Sequence, residues 1–245
     1  MSKIIAITGA GVGLGRTLAR RFAEDGDTVV LLGRTFSKVE AVAAEIGERA
    51  MGVHCDVASP ESVRSAFSKI AEHHPRIDVL INNAAIYEPF LIAEASDEQI
   101  LGAIGTNLAG PILCTRSAIP MMEPGGHIIN ISSESVEVLF PQLSIYRTTK
   151  AGLEMFSKAL EHELEPKGIR VTTVRAGPMK EEGKTWDVDR EAAMRFTQAA
   201  LAAGLNLRER PGTHVSSVTG IFRAIIDMPA DLNVGVLTLH ARRAD

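Results

Sequence analysis

The chain of 245 residues has only two cysteines, Cys55 and Cys114, with no CxxC partner and no metal-ligand spacing. A disulfide scaffold and a zinc site are therefore not expected, and no metal is assigned. No basic run occurs and the formal net charge is −4. That argues against nucleic acid, whose binding needs a concentrated cationic face. No apolar run is long enough to span a bilayer, and no charged-then-apolar leader precedes the first apolar segment. The expected location is the cytoplasm, away from membranes. Linkers, repeats and low-complexity stretches are also missing, so residues 1–245 read as one domain. The 45% apolar and 23% charged content is ordinary for a globular chain with a substantial core.

What the chain does have is alternation. Short apolar runs at Ile4–Thr8, Thr28–Leu32, Met51–Cys55, Val79–Ile81, His127–Ile131, Arg170–Val174 and Val234–Leu239 predict seven strands. Between them lie helical patterns at Leu14–Glu24, Ser37–Ile46, Asp97–Met122 and Ile145–Glu165, and a helix start at Ser59-Pro60 with serine as cap. Strands alternating with helices predict an α/β doubly wound, seven-stranded parallel sheet covered on both faces. Ligands in such sheets bind beyond the carboxyl ends of the strands. Thr8 to Gly15, Gly33-Arg34, Cys55-Asp56-Val57, Asn82 to Ala85, Ser132-Ser133 and Arg175 to Met179 all fall there.

The first strand ends in Thr8-Gly9-Ala10-Gly11-Val12-Gly13-Leu14-Gly15. A sharp turn that presents backbone N–H groups and starts a helix suits a dinucleotide diphosphate. The second strand ends Leu32-Gly33-Arg34-Thr35, without the carboxylate that would repel a 2′-phosphate. Arg34 either grips that phosphate or is a solvated surface charge; NADP is the expected cofactor, ahead of NAD. Asp56 either accepts a hydrogen bond from the adenine amino group or caps the turn that follows.

Tyr146 and Lys150 stand at i and i+4 near a helix start, so they share a face. A phenol titrates near 10, and bringing it to neutrality takes about 4 kcal/mol of differential interaction, which a neighbouring ammonium helps to supply. Ser133 lies thirteen residues upstream, after a strand. Neighbouring strand residues face opposite ways, so Ser133 rather than Ser132 is assigned to the site.

Thr8-Gly9-x-x-x-Gly13-x-Gly15, Asp56-Val57, Asn82-Asn83-Ala84-Ala85, Asn107, Ser133 and Tyr146-x-x-x-Lys150, in that order, resemble the short-chain dehydrogenase/reductase family of compact type, over nearly the whole chain. The resemblance implies a Rossmann-like fold and NAD(P)-dependent oxidoreduction between a small-molecule carbonyl and a secondary alcohol. It implies a catalytic set of Asn107, Ser133, Tyr146 and Lys150: Tyr146 as general acid/base, Ser133 bonded to the substrate oxygen, Lys150 lowering the tyrosine pKa and binding the nicotinamide ribose, and Asn107 holding a relay water. The implied cofactor-binding set is Gly9, Gly13, Leu14, Gly15, Arg34, Asp56, Val57, Asn83 (ribose side), Tyr146, Lys150, Gly177 and Met179, whose backbone would meet the carboxamide. It also implies a homodimer or homotetramer built on the helices 97–122 and 145–165.

Departures from the family pattern are Ala176-Gly177 for Pro-Gly, Glu181 for a threonine near the diphosphate, and a tail, Leu237 to Arg243, without the usual glycine pair. About forty residues separate the sixth strand from the helix near Val215, too many for a plain connector. Within 180–210, Arg190–Ala203 has helical spacing and glycines 183, 204 and 212 offer hinges; this segment is either a substrate lid or a docked surface helix. Trp186 and the Met194–Phe196 stretch line a pocket or pack that helix. His73-His74 read as solvated residues at a helix end rather than metal ligands. Two other functions fit the fold. A non-catalytic dinucleotide-binding regulator would have no use for Ser133 and Tyr146 together, and an epimerase or dehydratase would need room for a separate substrate domain.

Overall fold

Each apolar run becomes a strand in a computed structural model that describes residues 2–181, 186 and 188–242. They are β1 (Ile4–Thr8), β2 (Thr28–Gly33), β3 (Ala50–His54), β4 (Val79–Asn82), β5 (His127–Ser133), β6 (Arg170–Ala176) and β9 (Val236–Leu239), forming one parallel sheet in the order β3-β2-β1-β4-β5-β6-β9. The expected seven-stranded, Rossmann-like sheet is therefore the fold. Two strands that the sequence did not suggest, β7 (Met179–Lys180) and β8 (Thr213–His214), form a separate two-residue parallel ladder.

Because successive strand residues face opposite ways, Ile5, Ile7, Val29, Leu31, Val79 and Ile81 pack to one side and Ala6, Val30, Leu32, Leu80 and Ile128 to the other. The first side is covered by α1 (Gly13–Glu24), α2 (Phe36–Ile46) and α8 (Thr219–Ile226), through Leu18, Phe22, Val39, Val42 and Phe222. The second is covered by α3 (Pro60–His73), α5 (Gly110–Ala118) and α6 (Ser144–Leu164), through Val63, Phe67, Ile70, Cys114, Leu160 and Leu164. Burial on both faces is why these strands read as unbroken apolar runs. Each fully buried Leu, Ile or Phe contributes roughly 1.5–3 kcal/mol.

Ser59 caps α3 as expected, its Oγ accepting from Ser62 N at 3.2 Å with Pro60 at the first position. The helix expected over 97–122 is broken. It runs as α4 (Asp97–Ile104), a π-turn at Gly105–Ala109, α5 and a 3-10 turn at Ile119–Met121. Pro111 has no N–H to return to the Asn107 carbonyl, which interrupts the regular ladder at that residue. The helix expected over 190–203 is α7 (Arg190–Ala202), capped by Asp189 and anchored by buried Phe196 and Ala200. Gly204 follows it with a φ of 81°, while Gly183 and Arg243 lie outside the described residues.

Candidate active site

The strand order reverses between β1 and β4, and a groove of about 450 Å³ opens beyond their carboxyl ends. Its wall includes Gly9, Gly13, Leu14, Arg34, Asp56, Val57, Asn83 and Met179 from the expected set. Thr106 and Val215 line it too, without having been expected, as does Glu181, which stands where the family has a threonine near the diphosphate. Tyr146, Lys150, Gly15 and Gly177, also expected to contact the cofactor, are not on this wall, and the two glycines do something else. They are passages for backbone: a Cβ on Gly15 would stand 2.7 Å from Gly9 O, and one on Gly177 2.8 Å from Leu239 O. Gly9 has a φ of 67°, and a Cβ there would meet Ala84 Cα at 2.9 Å.

Side chains brace this turn. Thr8 Oγ1 accepts from Asn83 N at 2.9 Å and Ala84 N at 3.0 Å, and Asn83 Nδ2 donates to Thr8 O at 2.9 Å. The Asn83 nitrogen expected on the ribose side is thus committed to the turn. Asp56 Oδ1 accepts from Ala58 N at 3.0 Å, the capping alternative, while the residue still borders the groove. Arg34 and Lys38 are exposed at the same end of the groove. A glycine cradle at the start of α1, with cations at its far end, fits a dinucleotide diphosphate and a further phosphate on the adenosine.

The acid–base group lies beside this groove. Tyr146 and Lys150 occupy successive turns of α6, and Ser133 ends β5. The Ser133 hydroxyl hydrogen-bonds the Tyr146 phenol, favouring phenolate, but burial outweighs it and pushes the phenol above its usual value. Lys150 Nζ donates to Ile131 O at 2.8 Å and stands 5.8 Å from the Tyr146 ring centroid. Burial pushes the ammonium itself down to about 8. The Lys150 ammonium thus stands near the phenol ring, while burial is the larger influence on the phenol itself. Ser132 Oγ turns the other way, donating to Glu154 Oε1 at 2.6 Å. Asn107 is fully buried in the π-turn. Its Oδ1 accepts from Ile86 N at 2.7 Å, and its Nδ2 donates to Ile86 O at 2.8 Å and Thr149 Oγ1 at 3.3 Å. With its amide engaged in this way, the Asn107 side chain positions the 86 loop against α6.

Tyr87 and Glu134 escaped the sequence reading, whereas Trp186 and Phe196 were expected to line a pocket or pack the helix at 190–203. Tyr87 meets the Tyr146 ring edge-on at 4.9 Å, and Trp186 lies 5.2 Å from Tyr87 and 5.8 Å from Phe196. Both tyrosines and the lone tryptophan of an aromatic-poor chain thus collect at one point, a signal that composition alone does not carry. Trp186 packs against α7 and faces the site at once. Glu134, directly after Ser133, is buried; that raises its carboxyl pKa, opposed by Arg210 at 2.7 Å and by His240. Its charge adds to the upward push on Tyr146 and Tyr87. Behind the site a buried chain runs from Asn82 Nδ2 to Asn130 Oδ1 at 2.8 Å and from Asn130 Nδ2 to Ser157 Oγ at 2.9 Å, tying β4, β5 and α6 together.

A family model described as short chain dehydrogenase matches residues 3–191. An uncharacterized oxidoreductase of Methylorubrum extorquens is 36% identical over 187 residues, 74% of this chain and 75% of that protein. Serine 3-dehydrogenase of Agrobacterium fabrum is 32% identical over 186 residues, 74% of each. Among solved structures, the closed form of a serine dehydrogenase complexed with NADP+ superposes with a TM-score of 0.84 at 25% identity, covering 96% of this chain and 94% of that one.

Proposed function

Since the chain belongs to the short-chain dehydrogenase family, we propose that Tyr146 is the general acid/base of a nicotinamide-dependent oxidoreductase acting between a carbonyl and a secondary alcohol. The observation that carries this reading is the group of buried Ser133 and Lys150 with partly buried Tyr146, beside a glycine-cradled groove at the reversal of the sheet. When bound, the nicotinamide gives or takes the hydride. In the reducing direction Tyr146 holds the proton at Oη, and burial keeps it there until a carbonyl oxygen develops charge. Ser133 Oγ orients the phenol and offers a hydrogen bond to that oxygen. Lys150, with Nζ fixed on Ile131 O, sets a cationic group next to the phenol for the return of the proton. Tyr146→Phe removes the proton donor and keeps the ring. Turnover should fall about 10²–10⁴-fold with cofactor affinity unchanged, and wild-type turnover in the variant refutes the assignment.

NADP is the proposed cofactor in preference to NAD, supported by Arg34 and Lys38 at the adenosine end and by the NADP+ bound to the serine dehydrogenase relative. The substrate is a small carbonyl or alcohol. Exposure of Leu101 (66%), Ile104, Ile112 and Met155 (66%) on α4, α5 and α6 supports a homodimer or homotetramer through these helices. A monomeric mass by light scattering at micromolar concentration refutes it. No helix of the described residues is long and apolar enough to cross a membrane. A cytoplasmic location belongs to the proposal, as NADP is an intracellular solute, and cell fractionation tests it. Residues 180–210 form the proposed substrate lid, supported by Trp186 and Phe196 beside Tyr87. Ligand-independent proteolysis there counts against a lid.

A further inference from the structure

Two carboxylates line the groove, Asp56 and Glu181, and Glu181 is the one bonded to the start of α1. It follows β7 directly, and its side chain is only 10% exposed. Its Oε2 accepts from Gly13 N, the first backbone N–H of α1, at 2.9 Å, and its Oε1 accepts from Arg16 Nη2 at 2.6 Å. The N-terminal end of a twelve-residue helix is where partial positive charge concentrates, and the glycines that cradle an incoming diphosphate surround the same N–H. A carboxylate and a phosphate oxygen make the same demands on such a place, so both are not accommodated at Gly13 together. Arg16 reinforces the choice: its guanidinium is turned to Glu181, and its Nε is buried with no hydrogen-bond partner among the described residues.

We propose that Glu181 is an internal anion that competes with the cofactor's diphosphate for the N-terminus of α1, so that dinucleotide binding requires its displacement from Gly13 and Arg16. This rests on the dinucleotide-binding reading above and adds a specificity determinant to it. Held in place, the carboxylate lowers the fraction of protein competent to bind, and apparent affinity falls by that fraction. Arg34 acts on the 2′-phosphate alone. Glu181 should act equally on every ligand with a diphosphate at this position.

Glu181→Gln keeps the shape and removes the charge, and Glu181→Ala removes both; thermal melts of each without ligand establish that they fold. Equilibrium titrations of the wild type and both variants with NADP, NAD, ADP and adenosine then read the effect. A charge-assisted contact of this kind predicts binding roughly tenfold tighter in the variants for NADP, NAD and ADP alike. Adenosine, which has no phosphate, should bind all three proteins equally. A wild type that binds NADP as tightly as both variants overturns the proposal. So does a gain that extends to adenosine, since that reports a wider groove and not competition at the helix end. Failure of all three proteins to bind any dinucleotide overturns the functional reading itself, and this inference with it.

Discussion

Replacing Arg34 with alanine should weaken NADP binding about tenfold and leave NAD nearly untouched. Arg34 stands just after β2, exposed at the end of the groove where Lys38 also borders it. A hydrogen bond to a charged group is worth about 1.5–3 kcal/mol, and exposure of the guanidinium to water places this contact at the lower end. At 1.4 kcal/mol per decade that is roughly tenfold. Lys38 remains in the single variant and limits the loss, so Arg34→Ala with Lys38→Ala should lose roughly 100-fold if the two contacts are independent. NAD presents a hydroxyl in place of the phosphate, and its affinity should change by about threefold at most. Titration of NADPH and NADH by nicotinamide fluorescence at two ionic strengths measures all of this, and the salt dependence of NADPH binding should shrink in each variant. Equal losses for the two cofactors, or none, would show that Arg34 is only a surface charge.

Lys150→Met should abolish turnover and remove a pH dependence of stability. The folded pKa of Lys150 is lowered to about 8 against an ordinary value near 10.5, so its contribution to stability is complete above pH 10.5, is lost by roughly 3 kcal/mol as pH falls from 10.5 to 8, and does not change below pH 8; urea titrations that show the same change in the variant contradict this. His127 is buried against Thr172 and pushed down to about 3 by burial and by Arg170. Its contribution is complete above pH 6.5 and is lost by roughly 4–5 kcal/mol as pH falls to 3, a loss that His127→Gln should flatten in acid denaturation curves. Gly15→Ala forces a Cβ to 2.7 Å from Gly9 O and 3.0 Å from Ala10 Cα, all backbone. A cost of about 1–3 kcal/mol should lower Tm by about 2–4 °C per kcal/mol, and the displaced turn should also weaken dinucleotide binding; calorimetry showing an unchanged Tm contradicts the packing argument.

The sheet was legible because its central strands β1, β2 and β4 are buried on both faces and are therefore apolar almost throughout. The chemistry at its edge was legible because a diphosphate needs glycine and backbone N–H, and a proton relay needs a tyrosine with a cation one turn away. Those demands are local in the chain, and Ser59-Pro60, Thr8 to Gly15 and Tyr146 with Lys150 carry them within a few residues. What the tertiary structure alone decided depends on residues far apart in sequence. Glu181 reaches Gly13 across 168 positions, Trp186 reaches Tyr87 across 99, and Arg210 reaches Glu134 across 76. The i, i+4 spacing displays the lysine, whereas the ring that packs on the Tyr146 phenol, Tyr87, comes from 59 positions away. Periodicity and motif spacing report what one segment requires of itself. Which distant side chain fills the space beside it is fixed only when the layers pack.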